Sequence, residues 1–366
     1  VATAAVTVAL ATVLRPDPGL QVLTAGEEIT FTLEATYSLP GLPQGMVFRG
    51  ENDGYISFAQ EGIRRFVLPS QPDGALQLEL VVPDSGDLRG MAILKDTLFV
   101  AHNASVQRGD ISQDTNAGDE GLLSPKGGSI IAFDILPNGQ LQNRRTVVPD
   151  LPVANGWHSV NAVAAGPDGM LYVTIGGSRN SAAYADNPML GTVLRFNPDG
   201  SGLEVVARGI RNIYDLTFDD QGRLFAADND GPTDRGFKRE EVLAIRKGDH
   251  YGYPVEGTSD IPHRVRTAPP LWVLSNTDSG SAGTEWAGEV GVADGLFIGG
   301  PHLKYLPILE DDRGYFVPAS RDTEPGRILL DRQGFMTIVE AGPGRRLYVG
   351  VYGFTRTSDL YVLKFQ

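Results

Sequence analysis

The sequence predicts an all-β fold, a six-bladed β-propeller with an N-terminal β extension. Two observations carry this prediction. Apolar runs are short and are nearly always broken by Gly, Pro, Asp or Asn, and one hairpin pattern occurs six times. Such punctuation is typical of many short strands rather than of helices. The 366 residues contain no Cys, and they suffice to bury a large core without disulfides.

Each repeat is a strand, a turn ending in Gly or a similar break, and a second strand rich in aromatic residues. The copies are MVFRGENDGYISFA (46–59), MAILKDTLFVAHN (91–103), AVAAGPDGMLYVTIG (162–176), DLTFDDQGRLFAADN (215–229), VGVADGLFIGG (290–300) and TIVEAGPGRRLYVGVYG (337–353). A further strand follows each copy, as in GSIIAFDI at 128–135. Six small sheets that cannot bury their own faces would stack around an axis. A β-sandwich or a two-domain β protein is the alternative.

Residues 1–45 do not carry the repeat, so we divide the chain into this β segment and a propeller over residues 46–366. Ile29, Phe31, Leu33 and Ala35 fall two apart, as in a half-buried strand. The segment either completes a blade or pairs with a neighbouring chain, which would give a homo-oligomer.

The formal net charge of -14 argues against a nucleic-acid partner, because binding faces for phosphate need an excess of Lys and Arg. The apolar start VATAAVTVALATVL is too short to span a bilayer, and no membrane span is predicted. We expect a mature exported chain that is extracellular or periplasmic.

His158 and the pair Arg211–Asn212 are candidate functional residues. Each lies directly before the first strand of a repeat, where inner strands open on the central channel, so adjacent blades would bring them together. A histidine can act as a general base near neutral pH, and an arginine offers a fixed fork of donors to an anionic or carbonyl-rich ligand. Bonding to loop carbonyls is the purely structural role of either side chain.

The turn DNDGPTD is a candidate metal site. It contains Asp228, Asp230 and Asp234, with backbone carbonyls around Gly231 and Pro232. Hard oxygen ligands clustered in one turn favour Ca²⁺ over transition metals. Asp-rich turns also occur simply to bond backbone amides.

Three segments carry a family resemblance: GWHSVNAVAAGPDGMLYVTIGGSRN (156–180), GTVLRFNPDGSGLEVVARGIRN (191–212) and GRLFAADNDGPTDRGFKREEVLAIRKGDHYGYP (222–254). Together they resemble the central blades of the glucose/sorbosone dehydrogenase family, best over residues 150–255. The resemblance implies a propeller that oxidises a sugar with pyrroloquinoline quinone (PQQ) and Ca²⁺. It makes His158 the base for the hydroxyl proton and places Arg211, Asn212 and Arg179 on the quinone. The carbonyls of Gly231 and Pro232 would then coordinate Ca²⁺.

Two features depart from that family. The last two repeats carry no Lys or paired Arg at their inner-strand starts, and Glu285 and Glu289 stand there instead. Trp157 replaces the acidic residue before the base. Acids would repel an anionic cofactor. Two alternatives therefore stay open: a non-catalytic extracellular structural or binding subunit, assembling through residues 1–45, and a metal-dependent lactonase-like hydrolase with carboxylates converging at the axis.

Overall fold

The computed structural model describes residues 8–11, 21–22, 29–104, 124–154, 158–178, 187–232, 238–253, 268, 270–274, 283–292, 295–310, 316–318, 327–331, 334–353 and 357–366. These residues form six antiparallel sheets, with a short 3-10 helix at Ala287–Val290. The sheets are the blades of a propeller, and the predicted fold class is confirmed.

Each blade has four main strands, which follow one another from the central channel outwards. Blade one is β4 (Pro43–Phe48), β5 (Asp53–Phe58), β6 (Gly62–Val67) and β7 (Leu76–Val82); blade two is β8 (Asp87–Leu94), β9 (Thr97–Asn103), β10 (Ser124–Ile135) and β11 (Leu141–Val153); blade three is β12 (Val160–Ala165), β13 (Leu171–Ile175), β14 (Thr192–Phe196) and β15 (Glu204–Arg208). Blade four is β16 (Thr217–Phe218), β17 (Leu224–Pro232), β18 (Lys238–Ile245) and β19 (Trp272–Leu274); blade five is β20 (Thr284–Trp286), β21 (Gly295–Ile298), β22 (His302–Glu310) and β24 (Arg327–Asp331), with β23 (Phe316–Pro318) beside β22; blade six is β25 (Phe335–Gly342), β26 (Arg346–Tyr352), β27 (Ser358–Phe365) and β3 (Phe31–Leu39).

The N-terminal strands pair with three blades. β3 lies beside β27, with Phe31 opposite Phe365 and Leu39 opposite Ser358, so the sixth blade contains both an N-terminal and a C-terminal strand. β1 (Val8–Ala11) pairs with β7 of blade one, and β2 (Gln21–Val22) pairs with β24 of blade five. β4 begins at Pro43, so the first blade starts within the segment 1–45.

The core lies between the blades, where apolar faces of neighbouring sheets stack. Between blades two and three, Phe99 and Ile130 pack in one cluster with Val160 and Phe196, and all four are at most 1% exposed. Burying side chains of this size stabilises the fold by about 2 kcal/mol each. This packing fixes adjacent blades against each other and thereby fixes the loops at the ends of their inner strands.

The fifth repeat differs from its predicted register. The residues predicted to begin its first strand include Val290, which ends the 3-10 helix, and the inner strand β20 lies earlier. Gly291 stops the helix because it adopts φ 73, and its N–H bonds back to the carbonyls of Ala287 and Gly288. The second strand of the repeat, β21, lies where the pattern predicts it.

The inner strands surround a cavity of about 210 Å³ on the propeller axis. Its walls are residues 44–47 of blade one, 90–93 of blade two, 163–165 of blade three, 214–216 before β16, and 337–340 of blade six. The described part of the chain contains no helix long and apolar enough to cross a bilayer.

Candidate functional site

His158 lies two residues before β12 and is only 4% exposed. Its Nδ1 is 2.8 Å from the carbonyl oxygen of Gly177. A carbonyl can only accept, so Nδ1 carries the hydrogen, and in the neutral ring Nε2 is then the basic nitrogen. The contact therefore fixes both the direction of the ring and its tautomer.

A close backbone approach holds His158 in place. A Cβ added to Gly176 would lie 2.5 Å from the Cα of His158, nearer than real Cβ atoms come. The backbone N–H of Gly176 also donates to the carbonyl of Ser159 at 2.9 Å. Glycine at this position thus lets the end of β13 pass directly against the histidine.

Gly177 joins His158 to Arg211. Its carbonyl accepts from the imidazole, while its N–H donates to the carbonyl of Arg211 at 2.6 Å. The structure therefore brings together His158 before blade three and Arg211 before blade four, through the backbone of one residue. Arg211 itself is 9% exposed, and its Nη1 donates to the carbonyl of Asn229 at 2.6 Å.

Asp228 braces the Arg211–Asn212 pair. Its two carboxylate oxygens accept from the backbone N–H groups of Arg211 (3.0 Å) and Asn212 (2.7 Å). Burial raises the pKa of Asp228 to about 6, against the opposing effect of these two hydrogen bonds. Nearby Glu241 raises this pKa further, and Arg211 lowers it.

The remaining residues of the predicted metal turn lie just beyond Asp228. Asp230, Gly231 and Pro232 fall at the end of β17, where the pairing with β18 shifts register between Asn229 and Gly231. Asp230 is the extra residue of this bulge. Asp234 and Arg179 lie outside the described residues. Within the described ranges, no group of three or more His, Cys, Asp or Glu side chains is arranged to hold a metal ion.

Sequence reasoning missed a polar chain that reaches Asn212 from two other blades. Arg89, on β8, donates from Nη1 to Oδ1 of Asn161 at 2.5 Å. Asn161, on β12, donates from Nδ2 to Oδ1 of Asn212 at 2.8 Å and to the carbonyl of Ile213 at 3.0 Å. Arg89, Asn161 and Asn212 are all at most 3% exposed.

Sequence reasoning also missed two carboxylates of the axial cavity, Asp215 and Glu340, beside which Glu285 lies. Asp215 and Glu340 line the axial cavity, and the carboxylate of Glu285 accepts from the backbone N–H of Ala341 (3.1 Å), next to Glu340. Burial raises the pKa of Asp215 to about 8 and that of Glu285 to about 7. Burial, followed by repulsion from Glu285, Asp215 and Glu289, raises the pKa of Glu340 well above its ordinary value.

The fold and this site define a class: a six-bladed propeller with a buried histidine beside an Arg–Asn pair at the start of its central inner strands. Its structural neighbours include PQQ-dependent sugar dehydrogenases. A family model described as a domain of unknown function (DUF7133) matches residues 121–290. No curated protein matches the chain.

Three solved structures illustrate the likeness. A protein from Thermus thermophilus described as an oxidoreductase (glucose dehydrogenase) is 23% identical, covering 92% of this chain and 100% of its own, with a TM-score of 0.68. The PQQ-bound aldose sugar dehydrogenase of Streptomyces coelicolor is 22% identical over 95% and 98%, with a TM-score of 0.61. A calcium structure of a Trichoderma reesei enzyme of carbohydrate-active family AA12 is 14% identical over 93% and 96%, with a TM-score of 0.67. At these identities the likeness is one of fold.

Proposed function

We propose that the protein is a PQQ- and calcium-dependent sugar or aldose dehydrogenase that works outside the cytoplasm, with His158 as its base. The observation that carries the proposal is the fixed tautomer of His158, whose Nδ1–H is held by Gly177. A base needs a nitrogen that can accept a proton, and in the neutral ring this contact leaves Nε2 as that nitrogen. The proposal is also supported by the likeness in fold to the PQQ-bound dehydrogenase.

The residues around His158 suit the carbonyl oxygens of a quinone. Arg211 is held by Gly177 and Asn229, and Asn212 is held by Asp228, so both are placed before any ligand arrives. In this proposal Arg211 and Asn212 hold the cofactor, and Arg179 is a further candidate contact. When bound, the quinone would accept hydride from the sugar, and Ca²⁺ would polarise it as a Lewis acid. His158 would take the sugar's hydroxyl proton at Nε2.

The bulge at the end of β17 suits a hard cation through its backbone oxygens. We assign the carbonyls of Gly231 and Pro232 to Ca²⁺, with Asp230 and Asp234 as further oxygen donors. Asp228, whose two oxygens bond to backbone N–H groups, would bind through remaining lone pairs or serve by bracing the turn.

The axial acids repel an anionic cofactor less strongly than their number suggests. Burial raises the pKa of Asp215 to about 8 and that of Glu285 to about 7, so at pH 6 both are largely neutral. A neutral carboxyl does not repel the carboxylates of PQQ. The residues present therefore fit the cofactor best below neutral pH.

The first test is titration of the calcium-loaded protein with PQQ at pH 6, followed by absorbance and by reduction of a dye with a panel of aldoses. We expect stoichiometric binding and sugar-dependent dye reduction. Absence of binding at pH 6 would overturn the proposal, and the non-catalytic and hydrolase alternatives would take its place.

The affinity for PQQ should fall as the axial carboxyls ionise. Between pH 6 and pH 8.5 we expect the Kd to rise about tenfold, the effect of one unscreened charge roughly 10 Å away. Glu340→Gln should reduce this pH dependence, and the control Glu51→Gln, at an exposed turn of blade one, should leave it unchanged. A wild-type Kd that is constant across this range would show that the axial acids do not act on the cofactor.

A further inference from the structure

A directional chain of hydrogen bonds runs through the core from blade two to blade four. Arg89 ends the chain with a guanidinium, which can only donate. Its Nη1 meets Asn161 at 2.5 Å, so the atom of Asn161 that faces it must be the acceptor Oδ1. The amide nitrogen of Asn161 therefore faces the other way, toward Asn212 and the carbonyl of Ile213.

The same logic fixes the amide of Asn212. Because Nδ2 of Asn161 donates at 2.8 Å, the atom of Asn212 that faces it is Oδ1. The amide nitrogen of Asn212 then faces away from Asn161. The backbone N–H of Asn212 is held separately by Asp228, so the residue turns only about its side-chain bonds.

Arg89 is itself held rigidly. Its Nε donates to Asp87 at 2.8 Å, and its guanidinium carbon lies 5.4 Å from the ring centre of Tyr214. Tyr214 follows Asn212 and Ile213 in the chain, so Arg89 contacts both the partner of Asn212 and the segment that carries Asn212. A buried, charge-paired arginine is costly to reorganise, and its direction is therefore stable.

We propose that Arg89 and Asn161 are positioning residues that make Asn212 present an N–H donor, rather than a carbonyl acceptor, to its ligand. This inference rests on the proposed function, in which Asn212 contacts the quinone. A quinone oxygen can accept only, so a donor binds it and an outward Oδ1 would repel it. The orientation of one amide thus selects a ligand with a carbonyl oxygen at this point.

The test is Asn161→Asp with Asn103→Asp as its matched control. The carboxylate introduced at position 161 can still accept from Arg89, but it also presents an acceptor to Asn212, whose amide should then turn over. Asn103 is equally buried at 0% exposure and bonds to the backbone of Val160 and Asp87. Its replacement adds the same charge between the same blades without touching Asn212.

Two readouts separate the inference from the proposed function. In calcium-loaded protein, the Kd for PQQ should rise about tenfold or more in Asn161→Asp relative to Asn103→Asp. The reason is that Oδ1 of Asn212 would then face the quinone oxygen, so a hydrogen bond is replaced by repulsion between two acceptors. In protein labelled with ¹⁵N-asparagine, without PQQ, the side-chain amide signal of Asn212, assigned by its loss in Asn212→Asp, should shift in Asn161→Asp and stay in place in Asn103→Asp.

The outcomes are distinguishable. If the wild type binds no PQQ, the proposed function fails, and the amide signal alone decides the inference. An Asn212 signal that moves equally in both variants, or in neither, overturns the inference. Should Asn161→Asp melt far below the wild type, Asn161→Ser replaces it. Serine is too short to connect Arg89 with Asn212, so the amide of Asn212 loses its fixed orientation; its signal should shift, and the Kd for PQQ should rise by a smaller factor of about three.

Discussion

His158→Gln abolishes sugar oxidation and leaves the propeller folded, if His158 is the base. The bond from Nδ1 to the carbonyl of Gly177 is weakened, because the amide nitrogen of glutamine lies one bond further from the backbone, at the position of Nε2; glutamine nevertheless keeps a polar side chain of similar size at position 158. It cannot take a proton near neutral pH. Loss of a positioned general base lowers turnover by about 10²- to 10⁴-fold, measured by dye reduction with saturating PQQ, Ca²⁺ and sugar.

The control is His102→Gln on blade two. His102 lies 3.4 Å from Asp84 and 3.4 Å from Ser129, on a different strand from the site residues. The His102→Gln protein should oxidise sugar at the wild-type rate. Both variants should melt within a few degrees of the wild type and bind PQQ as it does. A His158→Gln protein that turns over normally while holding PQQ would assign the base to another group.

The fold was predictable because the same short sequence pattern, a strand, a turn and a second strand, occurs in every blade. Every inner hairpin has a Gly, Asp or Asn in the turn between its paired strands. This pattern locates the second strand even in blade five. The inner strand of that blade escaped because it is only three residues long, Thr284–Trp286, and is followed by a 3-10 helix. So short an element is held by its neighbours in the sheet and by contacts with the two adjacent blades, and it has no periodicity to detect.

The site was predictable only in part. His158 and Arg211 occupy equivalent places before neighbouring inner strands, and the structure brings them together through Gly177. Arg89 escaped because an arginine in DLRGMAIL is indistinguishable, in sequence, from a solvent-facing residue of a half-buried strand. Its burial depends on acceptors supplied by Asp87 and by Asn161 of the next blade.

The environment of the axial carboxylates was likewise not predictable from the sequence. Glu285 was visible as an acid in the wrong place for an anionic cofactor, but its environment was not. Its carboxylate accepts from the hydroxyl of Thr217 and from the backbone N–H groups of Trp286 and Ala341, so blades four, five and six meet on one side chain. Hydrogen bonds of this kind offset part of the cost of burying it.

These carboxyls make the propeller less stable as pH rises. An acid whose pKa is higher in the folded than in the unfolded protein makes its full contribution to stability below the unfolded-state pKa. That contribution is lost as the pH rises through the folded-state pKa. Asp215 moves from 3.8 to about 8 and Glu285 from 4.5 to about 7, and Glu340 also moves upward. The loss therefore extends from about pH 4 to pH 8.

From Asp215 and Glu285 alone we expect the free energy of unfolding to fall by about 5 kcal/mol between pH 5.5 and pH 8.5, with a decrease in Tm of about 7 °C. Carboxylates with lowered pKa, such as Asp53 beside Arg49 and Arg65, lose their contribution below this range and do not mask the trend. The measurement is thermal unfolding of the PQQ-free protein at constant ionic strength.

Glu340→Gln removes one of the mutually repelling charges, so at pH 8.5 it should melt above the wild type, and its Tm should vary less with pH. Glu51→Gln also removes one carboxylate, but from an exposed turn, and should follow the wild-type curve. If all three proteins lost stability in parallel, the loss would come from the net charge of the whole acidic surface. A gain confined to Glu340→Gln would instead assign the loss to the axis, where carboxyl groups of three blades lie close together and repel one another once they ionise.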